Sequence, residues 1–213
     1  MPLIRRLRQR QDLDRFYLYD DFATCMDPGE TLQYWGTAKS ASSTVLPISD
    51  GSLEFHVANG DAAGFATLHK MHKGQYSVAK RAQMRGRFKL SRATDINCQI
   101  SFYGTAANAI VMLTYDTQIS VVDPTHWIFI TDNASGNEKH DSGVVATPTV
   151  WHEFEIKCLA SNKAELWLDG ALICTNTTYI PTQVMEPSFA VSTYTTTGPY
   201  MYLDWIELEG DRL

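Results

Sequence analysis

Hydrophobic and polar residues alternate along most of this chain, and the clearest run lies between Trp151 and Cys174. There Phe154, Ile156 and Cys158 share one parity, while Glu153, Glu155 and Lys157 share the other. Successive side chains of a strand point to opposite faces, so this pattern predicts a strand with one buried and one wet face. A polar turn at Ser161-Asn162-Lys163 leads to a second strand with Ala164, Leu166 and Leu168 opposed to Glu165. Asp169-Gly170 then predicts a type I′ hairpin, because both central residues need a positive φ that Asp tolerates and Gly prefers. The stretch reads as three consecutive antiparallel strands.

The same alternation predicts strands over Phe16 to Phe22, Thr44 to Ile48, Ser52 to Val57, Gly64 to Leu68 and Ala82 to Leu90. It continues over Asn97 to Tyr103, Ala109 to Tyr115, Gln118 to Val122, Trp127 to Thr131, Ser188 to Tyr194 and Tyr200 to Glu209. Pro47 marks an edge strand, since it cannot donate to a ladder. The polar run Asn133 to Gly143 reads as a loop. No apolar periodicity of helical type is sustained, apart from Leu3, Ile4 and Leu7 near the start. Many short strands with turns between them predict an all-β, two-sheet antiparallel sandwich or jelly roll.

Composition narrows this picture. A chain of 213 residues, 44% hydrophobic and 20% charged, suits one all-β domain that needs no staples. The net charge of −6 disfavours nucleic acid, whose phosphates demand clustered cations. No apolar run reaches the ~18 residues of a membrane span, and the basic start lacks the apolar stretch of a secretory signal. The four cysteines, Cys25, Cys98, Cys158 and Cys174, form no CxxC pair. Cys98 and Cys158 take apolar strand positions and read as buried free thiols, with a Cys158–Cys174 bridge as the other option.

Positive charge is concentrated in residues 1–15, where Arg5, Arg6, Arg8, Arg10 and Arg15 lie. This divides the chain into a basic N-terminal arm, 1–15, and a sandwich domain, 16–213. The arm reads either as a solvated, frayed terminus or as a docking segment for an acidic or anionic partner, since guanidinium groups make forked bonds to carboxylate or phosphate.

Several features, in order along the chain, resemble the concanavalin A-like lectin/glucanase jelly roll. They are Tyr19 to Phe22, the Asp50-Gly51-Ser52-Leu53 turn, Trp151-His152 with Phe154 and Ile156, Leu166 and Leu168 with Asp169-Gly170, and the closing Tyr202 to Ile206. The resemblance implies two stacked curved sheets over roughly residues 16 to 210, with a concave face that often holds the ligand. Its members include glycoside hydrolases, polysaccharide lyases, lectins and domains of bacteriophage virion proteins. The arm, the absent export signal and the one-domain length resemble a virion component. The expectation is therefore a non-enzymatic bacteriophage capsid decoration or auxiliary structural protein, made in the host cytoplasm and bound through its arm to other virion proteins or sister subunits. A carbohydrate-binding lectin-like module and a glycoside hydrolase or polysaccharide lyase are the alternatives.

The chemistry implied by the resemblance can be placed on residues. Glucanases carry acids on a Glu-x-Asp-x-(x)-Glu strand, and a retaining pair stands about 5–5.5 Å apart. Glu153 and Glu155 share a face, but Lys157 stands where a third acid would be, so no catalytic residue is assigned. Alginate-lyase-like members use an Arg strand and a Gln-x-His strand; Arg85 and Arg87 imitate the first, while Gln99-Ile100-Ser101 lacks the histidine. His69 and His72 read as loop or surface histidines rather than metal ligands. No cofactor is expected beyond a structural Ca²⁺, for which Asp20, Asp21 and Asp204 are candidates, since hard cations take carboxylate and carbonyl oxygens. Tyr115, His126, Trp127, Trp167 and Tyr194 are candidates for glycan contact, as aromatic faces with polar neighbours suit sugars, although rings in a sandwich more often pack its core.

Overall fold

A computed structural model describes residues 15–20, 35–40, 43–48, 52–57, 64–70, 76–77, 81–104, 109–118, 122–159 and 162–211. Among them there are strands and no helix. The strands are β1 (Arg15–Asp20), β2 (Trp35–Lys39), β3 (Thr44–Pro47), β4 (Leu53–His56), β5 (Phe65–Lys70), β6 (Gln83–Leu90), β7 (Ile96–Gly104) and β8 (Ala109–Asp116). They continue with β9 (His126–Asn133), β10 (Gly136–Val145), β11 (His152–Leu159), β12 (Lys163–Leu168), β13 (Ala171–Asn176), β14 (Glu186–Thr193) and β15 (Tyr200–Asp211).

One sheet runs β13-β12-β11-β6-β15-β4-β3, with β1 also paired to β15; the other runs β10-β9-β8-β7-β14-β5-β2. All pairings are antiparallel. The two inner faces meet in one core that includes Phe55, Met84, Phe88, Phe102, Phe129, Phe154, Phe189 and Leu203. The first and last of these strands, β1 and β15, lie side by side.

The predicted meander is β11-β12-β13, and its hairpin has the expected geometry, with φ of 50° at Asp169 and 80° at Gly170. Asp169 does more than turn the chain. Its Oδ2 accepts from Nδ1 of buried His152 at 2.7 Å, and its Oδ1 accepts from the Glu153 amide at 2.9 Å. The Nε2 of His152 lies 2.9 Å from the Thr147 carbonyl oxygen, so both ring nitrogens face acceptors. Asp169→Ala removes the acceptor of a buried donor and puts Ala at positive φ. We expect it to cost about 2–4 kcal/mol. Asp169→Asn keeps an acceptor oxygen and the turn, and should cost about half as much. Urea unfolding of both variants checks the order; equal losses would show that the turn, not the histidine contact, dominates.

Two sequence expectations are corrected. The polar run Asn133 to Gly143 is not a loop: it contains a tight turn at 134–135 and most of β10, the edge strand paired to β9. An edge strand has one partner and little buried surface, so it carries no apolar signal. Gln118 lies in a turn and Val122 in a bend, while 119–121 fall outside the described residues. β2 has no clean alternation and was not anticipated. Cys98, Cys158 and Cys174 are buried free thiols, so no Cys158–Cys174 bridge forms; burial pushes Cys158 and Cys174 up to about 12. Cys25 and the arm residues Arg5, Arg6, Arg8 and Arg10 lie outside the described residues, as do Asp21 and His72. Arg15 opens β1, its backbone opposite Asp211.

Candidate functional site

The outward faces of the two sheets differ in character. On the eight-stranded sheet, β6 presents Arg85, Arg87 and Lys89, and β11 presents Glu153, Glu155 and Lys157. Arg85 pairs with Glu207, Arg87 with Asp204 at 3.0 Å, Lys157 with Glu155 at 2.9 Å, and Arg81 with Asp211 at 2.8 Å. Lys89 sits over the rings of Trp151 and Tyr202, and Tyr200 stacks on His56. This face is largely self-satisfied: most of its charges and several of its ring faces already have partners.

The outward face of the seven-stranded sheet is recessed. Ile128 is 1% exposed, although alternation turns it away from Trp127 and Phe129, which enter the core. Thr114, Ser101 and Ile130 are likewise buried yet point outward. Burial on the outward side of a sheet is what a concave face produces. The floor of the recess is mostly uncharged. β7 contributes Asn97, Gln99, Ser101 and Tyr103, β8 contributes Ile110, Met112 and Thr114, and β14 contributes Ser188, Ala190 and Ser192. The ladder puts Gln99 between Thr114 and Ala190, and Ser101 between Met112 and Ser188. Two rings on this face are well exposed, Tyr103 at 45% and Phe65 at 39%, the latter opposite Ser192.

Carboxylates sit at the two ends of the recess. At one end Asp116 accepts from Tyr194 at 2.9 Å, from Asn97 at 3.0 Å and from the Gln118 amide at 2.9 Å. Burial and the adjacent carboxylate raise the Tyr194 pKa. Nearby, His126 Nδ1 contacts Asp141 at 2.9 Å. At the other end one row runs Asp132–Ile110–Tyr103–Glu186 across β9, β8, β7 and β14. Burial raises the Asp132 pKa, partly countered by Lys139. Three strand spacings separate Asp132 from Glu186, about 14 Å, and six residues separate Asp116 from that row, about 20 Å. Neither span matches the roughly 5–9.5 Å that a two-carboxylate glycosidase mechanism requires. Asp123 and Asp141 are closer: both contact His126 Nδ1, at 3.8 and 2.9 Å, which puts their carboxylates within about 7 Å of each other, and His126 stands between them.

The anticipated glycan-contact residues are not brought together. Tyr115 and Trp127 are buried core rings, Tyr115 donating to the Ala93 carbonyl. They take the inward parity of β8 and β9, so a glycan role for them is corrected. Trp167 lies on the other sheet, packed against Lys157 and donating to Glu165. Only His126 and Tyr194 border the recess. Glu153 and Glu155 lie on the ion-paired face. Arg85 and Arg87 belong to the eight-stranded sheet and Gln99 to the seven-stranded one, on opposite outer faces, so the lyase set is not assembled. The Asp204 carboxylate is taken by Arg87, and Asp20 pairs through its backbone with Ile206. Among the described residues no three His, Cys, Asp or Glu side chains gather as a metal site. Sequence reasoning missed the β7 row and Glu186. Their signal was the polar parity of Asn97, Gln99, Ser101 and Tyr103, which does not by itself tell a recessed face from an ordinary wet one.

No protein-family model matches the chain, and no curated protein matches it. Solved structures do share its architecture. A Bacillus licheniformis β-glucanase is 13% identical, with 90% of this chain and 97% of that chain covered and a TM-score of 0.68. A prokaryotic β-1,3-1,4-glucanase (lichenase) from a mouse hindgut metagenome is 14% identical, with 92% and 99% covered and a TM-score of 0.66. A glycosyl hydrolase family 16 protein of Mycobacterium smegmatis is 15% identical, with 90% and 98% covered and a TM-score of 0.65. The all-β jelly-roll sandwich is thereby established. The expected non-enzymatic virion module is overturned, because the whole-length structural neighbours include glycoside hydrolases and back the glycoside hydrolase alternative better than that expectation. The bacteriophage reading had rested on the arm and on analogy.

Proposed function

We propose that this chain engages a polysaccharide strand across the recessed face of its seven-stranded sheet. The observation that carries this is the face itself: an uncharged floor of buried Ser101 and Thr114 with half-buried Gln99 and Ser188, edged by the exposed rings of Tyr103 and Phe65. Small hydroxyl and amide side chains donate and accept at once, as sugar hydroxyls do, and flat rings cover the apolar faces of sugars. Ligand sites are concave and combine apolar lining with a few oriented polar groups. The whole-length likeness to glucanases supports carbohydrate as the ligand class.

Hydrolysis is the second reading, favoured by the glycoside hydrolases among the similar structures. Binding is preferred because Asp116, Asp132 and Glu186 are spread beyond the reach of one glycosidic bond, and the closely spaced Asp123 and Asp141 are both engaged by His126. Calorimetry with mixed-linkage β-glucan oligosaccharides, run alongside an assay of released reducing ends, tests both. Tyr103→Ala should weaken binding about ten-fold, as the loss of one exposed stacking ring would. Unchanged affinity in that variant, or no affinity of the native chain for any neutral glycan, would sink the proposal. Release of reducing ends by the native chain would establish the second reading.

A further inference from the structure

Glu186 is 7% exposed, and its Oε2 is fully buried with no hydrogen-bond partner. Gln183, three residues earlier, also buries its Oε1 without a partner. The other carboxylates of the recessed face are provided for. Asp116 has Tyr194, Asn97 and the Gln118 amide; Asp141 has His126 and the Gly143 amide; Asp132 has the nearby charge of Lys139. Glu186 has no such donor. A buried carboxylate without a donor is costly, and something that binds there and supplies one gains that deficit back.

Tyr103 stands directly opposite Glu186 in the β7–β14 ladder, which brings the two Cβ atoms to about 4.5–5.5 Å. The Tyr103 ring is the exposed feature at this end of the recess. A cation lodged beside Glu186 would also lie against the negative face of that ring. This end therefore pairs an acceptor-only, negatively charged group with a flat ring, at the limit of a floor suited to sugar hydroxyls.

We propose that the Tyr103–Glu186 end of the recess binds a sugar unit bearing a free primary amine, as in a glucosamine polymer. The inference rests on the glycan-binding reading of the same face. A protonated amine offers three donors and one positive charge, which meets the Glu186 carboxylate and leaves donors for further acceptors. An N-acetylated unit offers one neutral N–H. A uronate or sulfate would bring like charge to Glu186. A hard metal ion fits less well, since it wants several oxygens and the described residues gather no cluster of acids there.

The test is calorimetry with a β-1,4-linked glucosamine hexamer, its N-acetylated counterpart and the matching glucose hexamer, at a pH where the amines are protonated. The native chain should bind the amine hexamer at least about ten-fold tighter than the N-acetylated one, the value of one charge-assisted hydrogen bond. Glu186→Gln should erase that difference while the glucose hexamer is still bound. Its thermal midpoint should not fall, because the change removes a buried charge that has no donor; a lower midpoint would show Glu186 already satisfied and overturn the inference. A native chain without amine preference, or an E186Q variant that keeps it, would also overturn it while glucose-hexamer binding left the broader reading standing. Failure of the native chain to bind all three would overturn both.

Discussion

Replacing Trp127 with alanine is expected to cost the fold about 3–5 kcal/mol. Trp127 is among the largest fully buried side chains and sits between the sheets. Its ring meets Phe88 edge-on at 5.6 Å, Tyr115 at 5.4 Å and His152 at 5.4 Å. Alanine removes the indole from all three contacts at once, and the neighbours belong to two different sheets whose strands cannot close on the gap. For a chain of this size the midpoint of thermal unfolding should fall by about 6–20 °C. Trp127→Phe separates packing from polarity. The indole Nε1 is buried without a partner, so the nitrogen contributes no hydrogen bond to lose. Phe should therefore lose much less than Ala. A Phe variant as unstable as the Ala one would show that the indole N–H has a partner in solution.

Gly86→Ala should be the second severe change, although it adds only one methyl group. A Cβ at Gly86 would lie 2.5 Å from the Trp205 carbonyl oxygen and 2.8 Å from Cε1 of Phe154. The irregularity in β15 between Leu203 and Trp205 lies beside Gly86 in the ladder, and the Phe154 ring closes in from β11. One obstacle is main chain and the other is a buried ring, so neither yields cheaply. Overpacking of this kind costs about 1–3 kcal/mol, and a backbone obstacle belongs at or above the upper end. Denaturant unfolding measures it. A Gly86→Ala variant with native stability would mean that β15 shifts freely against β6. The glycine is used here for close approach of backbone, not for its conformational freedom.

The meander shows what alternation can and cannot say. Along β11 it separates Phe154, Ile156 and Cys158 from Glu153, Glu155 and Lys157, and the structure buries the first set and wets the second. The positive φ at Asp169 and Gly170 was equally readable, since few residues accept that conformation. β10 was not readable as a strand, because an edge strand buries too little to require apolar residues. The recessed face was half readable. The parity of Asn97, Gln99, Ser101 and Tyr103 marks a polar side of β7, but Arg85, Arg87 and Lys89 mark a polar side of β6 in the same way.

Local sequence determined the two-fold alternation, the tight turns and therefore an all-β sandwich, because those depend on neighbours along the chain. Tertiary structure alone decided which polar face is recessed and which is tied up in ion pairs. It also decided that Tyr115 and Trp127 are core, that Arg85 and Gln99 lie on opposite sides of the sandwich, and that Glu186 meets Tyr103 without a donor. Those outcomes depend on strand order and register between residues far apart in sequence, where a change of one residue moves a side chain to the opposite face.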